Sequence, residues 1–436
     1  MTALAAATAG GLALAGLAGA APALAKPTPM PAHVPCSTDA LSSAISGAVD
    51  GDVLYLATNC TYLLTSALPD VAVPLTIDGF NSTIERSSAG GTPDFSLLTV
   101  ATGGSLAVDD VNFANGAASA YGGGIDAEYG PLSVTGGTFS GNYSGDYGGA
   151  IFSDDGISVR SATFTGNSAA DYSGAIEIDD SGTVSGSMFT HNTSEYGGAI
   201  DVDTGTTTVR SSTFIKNSSS VYGGAIELDS GSLAVRSSSF YQNSAPYGGA
   251  IEVEAGDLTV GNGYFQQNTA KDGGGIVNYA DMTLEGTGFR DNQATSGGGV
   301  ENDSTATVTG GTFSGNTANY GGGWYNDGTL TMTGASFSSN HAEQGGGMYN
   351  EDEAAIGSSG FQYNTASDRG GALFEDGTFA HLSDSKVFSN HAPSGGGGGI
   401  YDDDSTADTV TLTNTNVVIN TVNNCSPAAS VPGCTG

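Results

Sequence analysis

The sequence predicts an all-β protein, a right-handed parallel β-helix with three short strands in each coil of 24–26 residues. Three observations predict it. An FxxN tetrapeptide recurs at that interval, with its Phe at Phe139, Phe164, Phe189, Phe214, Phe240, Phe265, Phe289, Phe313, Phe337 and Phe361, and with Val387 in the same place afterwards. A glycine block ending in an apolar residue keeps register with it, from GGGI at 122–125 to GGGI at 397–400. A third apolar column stands five residues before each Phe, at Val134, Val159, Val184, Val209, Val235, Val260, Leu284, Val308, Met332, Ile356 and Leu382.

Three apolar columns per repeat require three short strands, each turning one or two side chains inward; a helix would need a 3.6-residue period, which is absent. So short a unit buries no core alone, and stacking on its neighbours supplies one. Stacked coils lie about 4.8 Å apart, and crossover geometry favours right-handed winding. Phe, Val and Ile ladders then fill the interior. The Asn of each FxxN, from Asn142 to Asn390, falls at a turn, where its side chain can satisfy backbone and stack as an amide ladder. The paired glycines supply positive φ or a close backbone approach at a corner.

Outside the repeat the composition changes. Residues 1–25 are an apolar, small-residue run ending in Ala23-Leu24-Ala25, the form of a secretory signal without its positive n-region; a membrane anchor is the competing reading. A Pro-rich linker follows at 26–35. Residues 36–110 read as an N-terminal cap with irregular first coils. There Ser37 or Thr38 caps a helix from Asp39 to Ser46, stopped by Gly47, whose Leu41, Ala44 and Ile45 share one face. Such a helix covers the unpaired end of a stacked-strand fold. Regular coils occupy 111–420, and a C-terminal disulfide loop occupies 421–436. Cys36 pairs with Cys60, and Cys425 with Cys434, as expected of an even count in an exported chain. Metal binding competes weakly, since no CxxC or nearby His accompanies the pairs.

Ten Lys plus Arg against 45 Asp plus Glu give a net charge of −35. That makes nucleic acid and anionic membrane surfaces poor partners and leaves cations, cationic surfaces and neutral glycans open.

The FxxN tetrapeptide followed by GGA[I/V/L] resembles the repeat signature of the polymorphic outer membrane protein family over about 111–420. That family comprises surface proteins with pectin-lyase-like β-helix passengers, and the resemblance implies an exposed, adhesin-like role. Its members end in an outer-membrane β-barrel, and the stretch after Asn420 is too short for one. The opening CSTDALSSAI to PLTIDG is similar to the N-terminal cap of secreted β-helix proteins from high-GC Gram-positive bacteria.

Two outward columns are candidate binding features. The position after the inward Ile is acidic at Glu177, Asp201, Glu227 and Glu252, and two residues on stand Asp179, Asp203, Asp229 and Glu254. These are expected as a solvated face; the competing reading is a glycan-binding or Ca²⁺-binding strip, because oxygen ligands suit hard cations. No cofactor is otherwise implied. Beside them runs a tyrosine column, Tyr121, Tyr147, Tyr172, Tyr196, Tyr222 and Tyr247, able to stack on sugar rings or to pack over the glycine corner. In later coils the outward position becomes aromatic, at Tyr325, Tyr349, Phe374 and Tyr401, and Asn278, Asn302, Asn326 and Asn350 form a second, structural amide column.

No catalytic residue is assigned. Arg160, Arg210 and Arg236 share one register and suit surface ion pairs, and His191, His341, His381 and His391 do not cluster. The reading is a secreted or cell-surface, non-catalytic adhesin or glycan-binding scaffold. The alternative is a polysaccharide lyase or glycoside hydrolase using paired carboxyls of the acidic strip, and a third reading is a spacer without a ligand.

Overall fold

The computed structural model describes residues 31–403, 409–427 and 430–435. The expected signal at 1–25 and the start of the linker lie outside the described residues.

The chain is an all-β parallel β-helix with one short helix among the described residues. Each coil turns through the same faces. The coil beginning at Ile151–Ser153 continues through Ile157–Arg160 and Thr163–Thr165. A fourth, two-residue strand, Ser168–Ala169, follows the Asn; the sequence pattern misses it because its one buried residue, Ala169, is too small to mark a column. Strand pairing is parallel and in register by one repeat, so Phe164 pairs with Phe139 on one side and Phe189 on the other. The isoleucine face is a single 14-stranded parallel sheet running from Leu98–Thr99 to Cys425–Ser426.

Like residues therefore stack on like. The phenylalanine ladder starts one coil earlier than the repeat suggests, at Phe113, whose ring lies 4.8 Å from that of Phe139. Further along, Phe189 and Phe214 stack at 4.7 Å and 5°, and both are fully buried. The amide ladder is continuous beside it. Asn167 Nδ2 donates to Asn192 Oδ1 at 3.0 Å and to Phe139 O at 3.0 Å, while its own Oδ1 accepts from Asn142 N–H and Nδ2, both at 3.0 Å. Every polar valence of these buried side chains is thus met, as burial demands.

The glycine corners need both properties of glycine. Gly148 has φ +62°, and a Cβ there would lie 2.1 Å from Ile151 O; at Gly149 it would lie 2.3 Å from Gly174 O. The next coil over crosses at that point, leaving no room for a side chain.

At the N-terminus the helix spans Thr38–Ser46 and buries Leu41 and Ile45 against the first coils, and Gly47 N–H closes it on Ser43 O at 3.0 Å. Ser37 occupies the N-cap without a side-chain bond; Thr38 Oγ1 instead donates to Leu63 O at 3.1 Å. Residues read as the end of a linker are a strand, Pro31–Val34, which pairs with Asp52–Leu56. Cys36–Cys60 and Cys425–Cys434 are both bonded.

Candidate ligand-binding groove

Alternation on a three-residue strand decides which side chains reach the site. In Ile176–Ile178 the two isoleucines point into the core, so Glu177 points out of the sheet. Parallel register places Phe152, Glu177, Asp201, Glu227 and Glu252 in one outward column. The tyrosine column bridges in the same order, Tyr121, Tyr147, Tyr172, Tyr196 and Tyr222.

Outward does not mean solvated here. Glu177, Asp201, Glu227 and Glu252 are only 1–3% exposed, which corrects the expectation of a solvated acidic face. Glu177 and Asp201 lie on the floor of a groove of about 330 Å³, and Glu227 and Glu252 continue the same column outside its lining. Tyr121, Tyr147 and Tyr172 stand on one wall, and Asp179, Asp203 and Asp229 on the other. Phe152, packed 4.6 Å from Tyr121, lies at the end where the acidic column begins. No Lys or Arg lines this groove. Arg160, Arg210 and Arg236 are exposed on a different face and make no ion pair among the described residues.

Burying acids side by side raises their proton affinity, because desolvation and like charges both penalise the carboxylate. Burial, with Asp201 next to it, holds Glu177 well above the usual range, and burial with Glu227 does the same to Asp201. Glu227 is pushed up to about 9 by burial and Glu252; Glu252 reaches about 9 through burial and Glu254. Asp179 on the wall rises to about 7 by burial and Asp203. Glu227 and Glu252 therefore hold their protons at neutral pH, and the −35 counted from the sequence overstates the charge this column carries. Glu177 Oε2, Asp201 Oδ1, Glu227 Oε2 and Glu252 Oε2 have no hydrogen-bond partner.

The tyrosines are half-buried and stacked on one another. Tyr147 and Tyr172 lie 5.0 Å apart with planes 6° from parallel, and Tyr172 and Tyr196 lie 4.9 Å apart at 20°. From Tyr196 to Tyr222 and on to Tyr247 the rings tilt, at 37° and 47°. Ring faces are turned to their neighbours, so a sugar laid along the stacked part meets edges and hydroxyls rather than faces. The column continues past Tyr247 through Asp272 and Ser296 to Tyr320, Gln344 and Arg369. Lys271 Nζ sits 5.3 Å above the Tyr247 ring and 2.9 Å from Asp272 Oδ2.

The later aromatic row is less exposed than expected. Tyr349 and Phe374 are buried, stacked at 4.7 Å, and Tyr349 Oη donates to Asp376 Oδ2 at 3.0 Å. Asn278, Asn302, Asn326 and Asn350 point inward, are linked by amide bonds of 2.8–2.9 Å, and end on buried Glu375. No group of three or more His, Cys, Asp or Glu among the described residues is arranged to hold a metal ion. No helix among them is long and apolar enough to cross a membrane.

Comparison with known proteins adds the repeat type. Residues 136–154 and 211–228 match the Chlamydia polymorphic membrane protein repeat. No curated protein matches the chain. A solved structure, the PL6 family alginate lyase AlyGC, is similar over 88% of this chain and 84% of its own, at 10% identity and a TM-score of 0.26, a likeness too slight to bear on activity. The chain carries polymorphic membrane protein-like repeats on a parallel β-helix.

Proposed function

We propose that this is an adhesin-like, secreted or cell-surface rod that acts by contact rather than turnover, with the tyrosine–carboxyl groove as its contact face. One observation carries the reading. Tyr, buried acid and rim Asp recur in register along the face, as Tyr172, Glu177 and Asp179, then Tyr196, Asp201 and Asp203, then Tyr222, Glu227 and Asp229, so the face is a row of similar subsites. Such a row suits an extended ligand, a glycan or another cell-surface component, held at many weak points. The repeat type supports a surface location, and two terminal disulfides fit an oxidising compartment. The test is retention of the full chain on cell-surface material, with Tyr147, Tyr172 and Tyr196 replaced together by Ala. Retention should fall at least tenfold; equal retention by both proteins contradicts the reading.

One observation favours the enzymatic alternative. Several carboxyls, Glu177, Asp179, Asp201 and Asp203, share one groove, and a pair of carboxyls flanking the bond is what glycoside hydrolysis uses. That reading requires turnover of a polysaccharide that vanishes in Glu227→Gln.

A further inference from the structure

Position 173 breaks the rule of the glycine corner. The first residue of that corner is glycine in the coils on either side, at Gly148 and Gly197, both with positive φ. In this coil it is Ser173, held at φ +45° and fully buried. A non-glycine residue in left-handed backbone stores strain, and strain of this kind collects at ligand sites. The Ser173 hydroxyl reaches the neighbouring Glu177 carboxyl. Two buried carboxyl oxygens on the groove floor, Glu177 Oε2 and Asp201 Oδ1, lack a hydrogen-bond partner of good geometry among the described residues. Glu177 and Asp201 both line the groove. Buried polar atoms are otherwise nearly always satisfied, so the cluster is a place prepared for a donor.

The chain itself indicates which donor. Farther along the same tyrosine column, Lys271 places its ammonium over Tyr247 and against Asp272. Near the column's far end Arg369 sits 5.0 Å over the Tyr401 ring and 3.3 Å from Asp403 Oδ1. Tyrosine and carboxylate together are thus used twice on this face to hold a cation. Between Tyr121 and Asp229 the same combination occurs with no basic residue lining it.

We propose that the groove around Ser173, Glu177 and Asp201 binds an alkylammonium group, supplied by a lysine side chain of an extended partner or by a linear polyamine. This deepens the contact-face reading and rests on it. An ammonium has three N–H donors, enough to reach both open carboxyl oxygens. A positive charge set against these carboxyls favours their ionised form, so binding drives the exchange: carboxylic acid plus ammonium becomes carboxylate–ammonium pair plus one proton released to buffer. The charged and titratable groups facing Glu177 and Asp201 are Asp179, Asp203, Asp229, Glu227, Glu252 and the neighbouring tyrosines. All of these are acidic and favour the same exchange.

The experiment is calorimetric titration of the full chain with spermidine, with tetralysine and with N-acetylated tetralysine, each in two buffers of different ionisation enthalpy. Both amine probes should bind, with proton release seen as a buffer-dependent heat, and acetylation should weaken binding at least tenfold. Spermidine binding alone identifies a polyamine site; tighter tetralysine binding identifies a polypeptide partner. Ser173→Gly should raise Tm, by relieving the strained corner, and lower affinity fivefold or more; Glu177→Gln with Asp201→Asn should abolish binding and proton release. Absence of binding by both amines overturns the proposal, as does affinity unchanged in Ser173→Gly and the Gln/Asn variant alike. A neutral oligosaccharide that binds in this groove while the amines do not overturns the ammonium assignment and leaves the contact-face reading intact. If the tyrosine-to-alanine protein also keeps full retention on cell-surface material, the contact-face reading fails as well.

Discussion

Tyr147 and Tyr172 stack with centroids 5.0 Å apart and planes 6° from parallel. Each ring spends its faces on its neighbours, so the column works as a wall beside the carboxyl floor and not as a set of free aromatic platforms. Replacing Tyr172 by Phe keeps the stack and should change stability by less than about 0.5 kcal/mol. Replacing it by Ala removes two ring contacts, each worth about 1 kcal/mol beyond area burial, and opens the floor to water. Chemical denaturation should report a loss of about 2–3 kcal/mol, and Glu177 and Asp201 should then titrate closer to ordinary carboxyls.

The buried acids set the sign of the pH dependence. Glu227, Glu252 and Glu301 each hold a proton to about 9 in the folded chain, against about 4.3 when unfolded. The folded state binds more protons between these values, so stability is greatest below about pH 4.3 on this account and is lost as pH rises toward 9. Thermal melts should show Tm falling by about 10 °C or more from pH 5 to pH 9. In a Glu227→Gln, Glu252→Gln, Glu301→Gln protein, which keeps shape and cannot ionise, the slope should flatten.

The amide ladder should be the least tolerant column. Asn217 Oδ1 accepts from Asn192 N–H and Nδ2, and Asn217 Nδ2 donates to Phe189 O and Asn243 Oδ1. Asn217→Leu orphans buried groups in both adjacent coils, at about 1–3 kcal/mol for each unsatisfied group. Because a solenoid couples mainly nearest neighbours, hydrogen exchange should accelerate in the coils around 190–245 and change little near the ends.

Cys36–Cys60 closes a loop of sequence separation 24 at the capping helix. Replacing both by Ser should cost about 3 kcal/mol. Limited proteolysis should find the damage confined to the first coils, with fragments retaining the regular repeat.

Much of this architecture is legible in the sequence because Phe189, Phe214 and Phe240 differ by one coil and must stack once the repeat closes. The Asn ladder is legible for the same reason. What escapes is whatever depends on how far one face curls over another. Alternation tells that Glu177 leaves the sheet on the side opposite Ile176; it does not tell that neighbouring side chains cover that side, so an expected solvated strip is a buried floor. The tyrosine column is visible, but the ring orientation that turns Tyr147 toward Tyr172 is set by coil spacing and side-chain rotation. Pro31–Val34 hides because proline-rich text reads as linker, although an end strand tolerates proline. Ser173 is readable as a departure from GGA, yet only its backbone angle and its place against the Glu177 carboxyl give the departure a meaning.

A column of acids leaves the sheet yet stays buried, with Glu227 and Glu252 protonated at neutral pH. This is tested most directly by following the side-chain carboxyl carbons of Glu227 and Glu252 through a ¹³C NMR titration of the selectively labelled full chain. The account predicts that both remain protonated at pH 7, with midpoints near 9. Midpoints in the ordinary glutamate range, with both groups ionised at pH 7, contradict it.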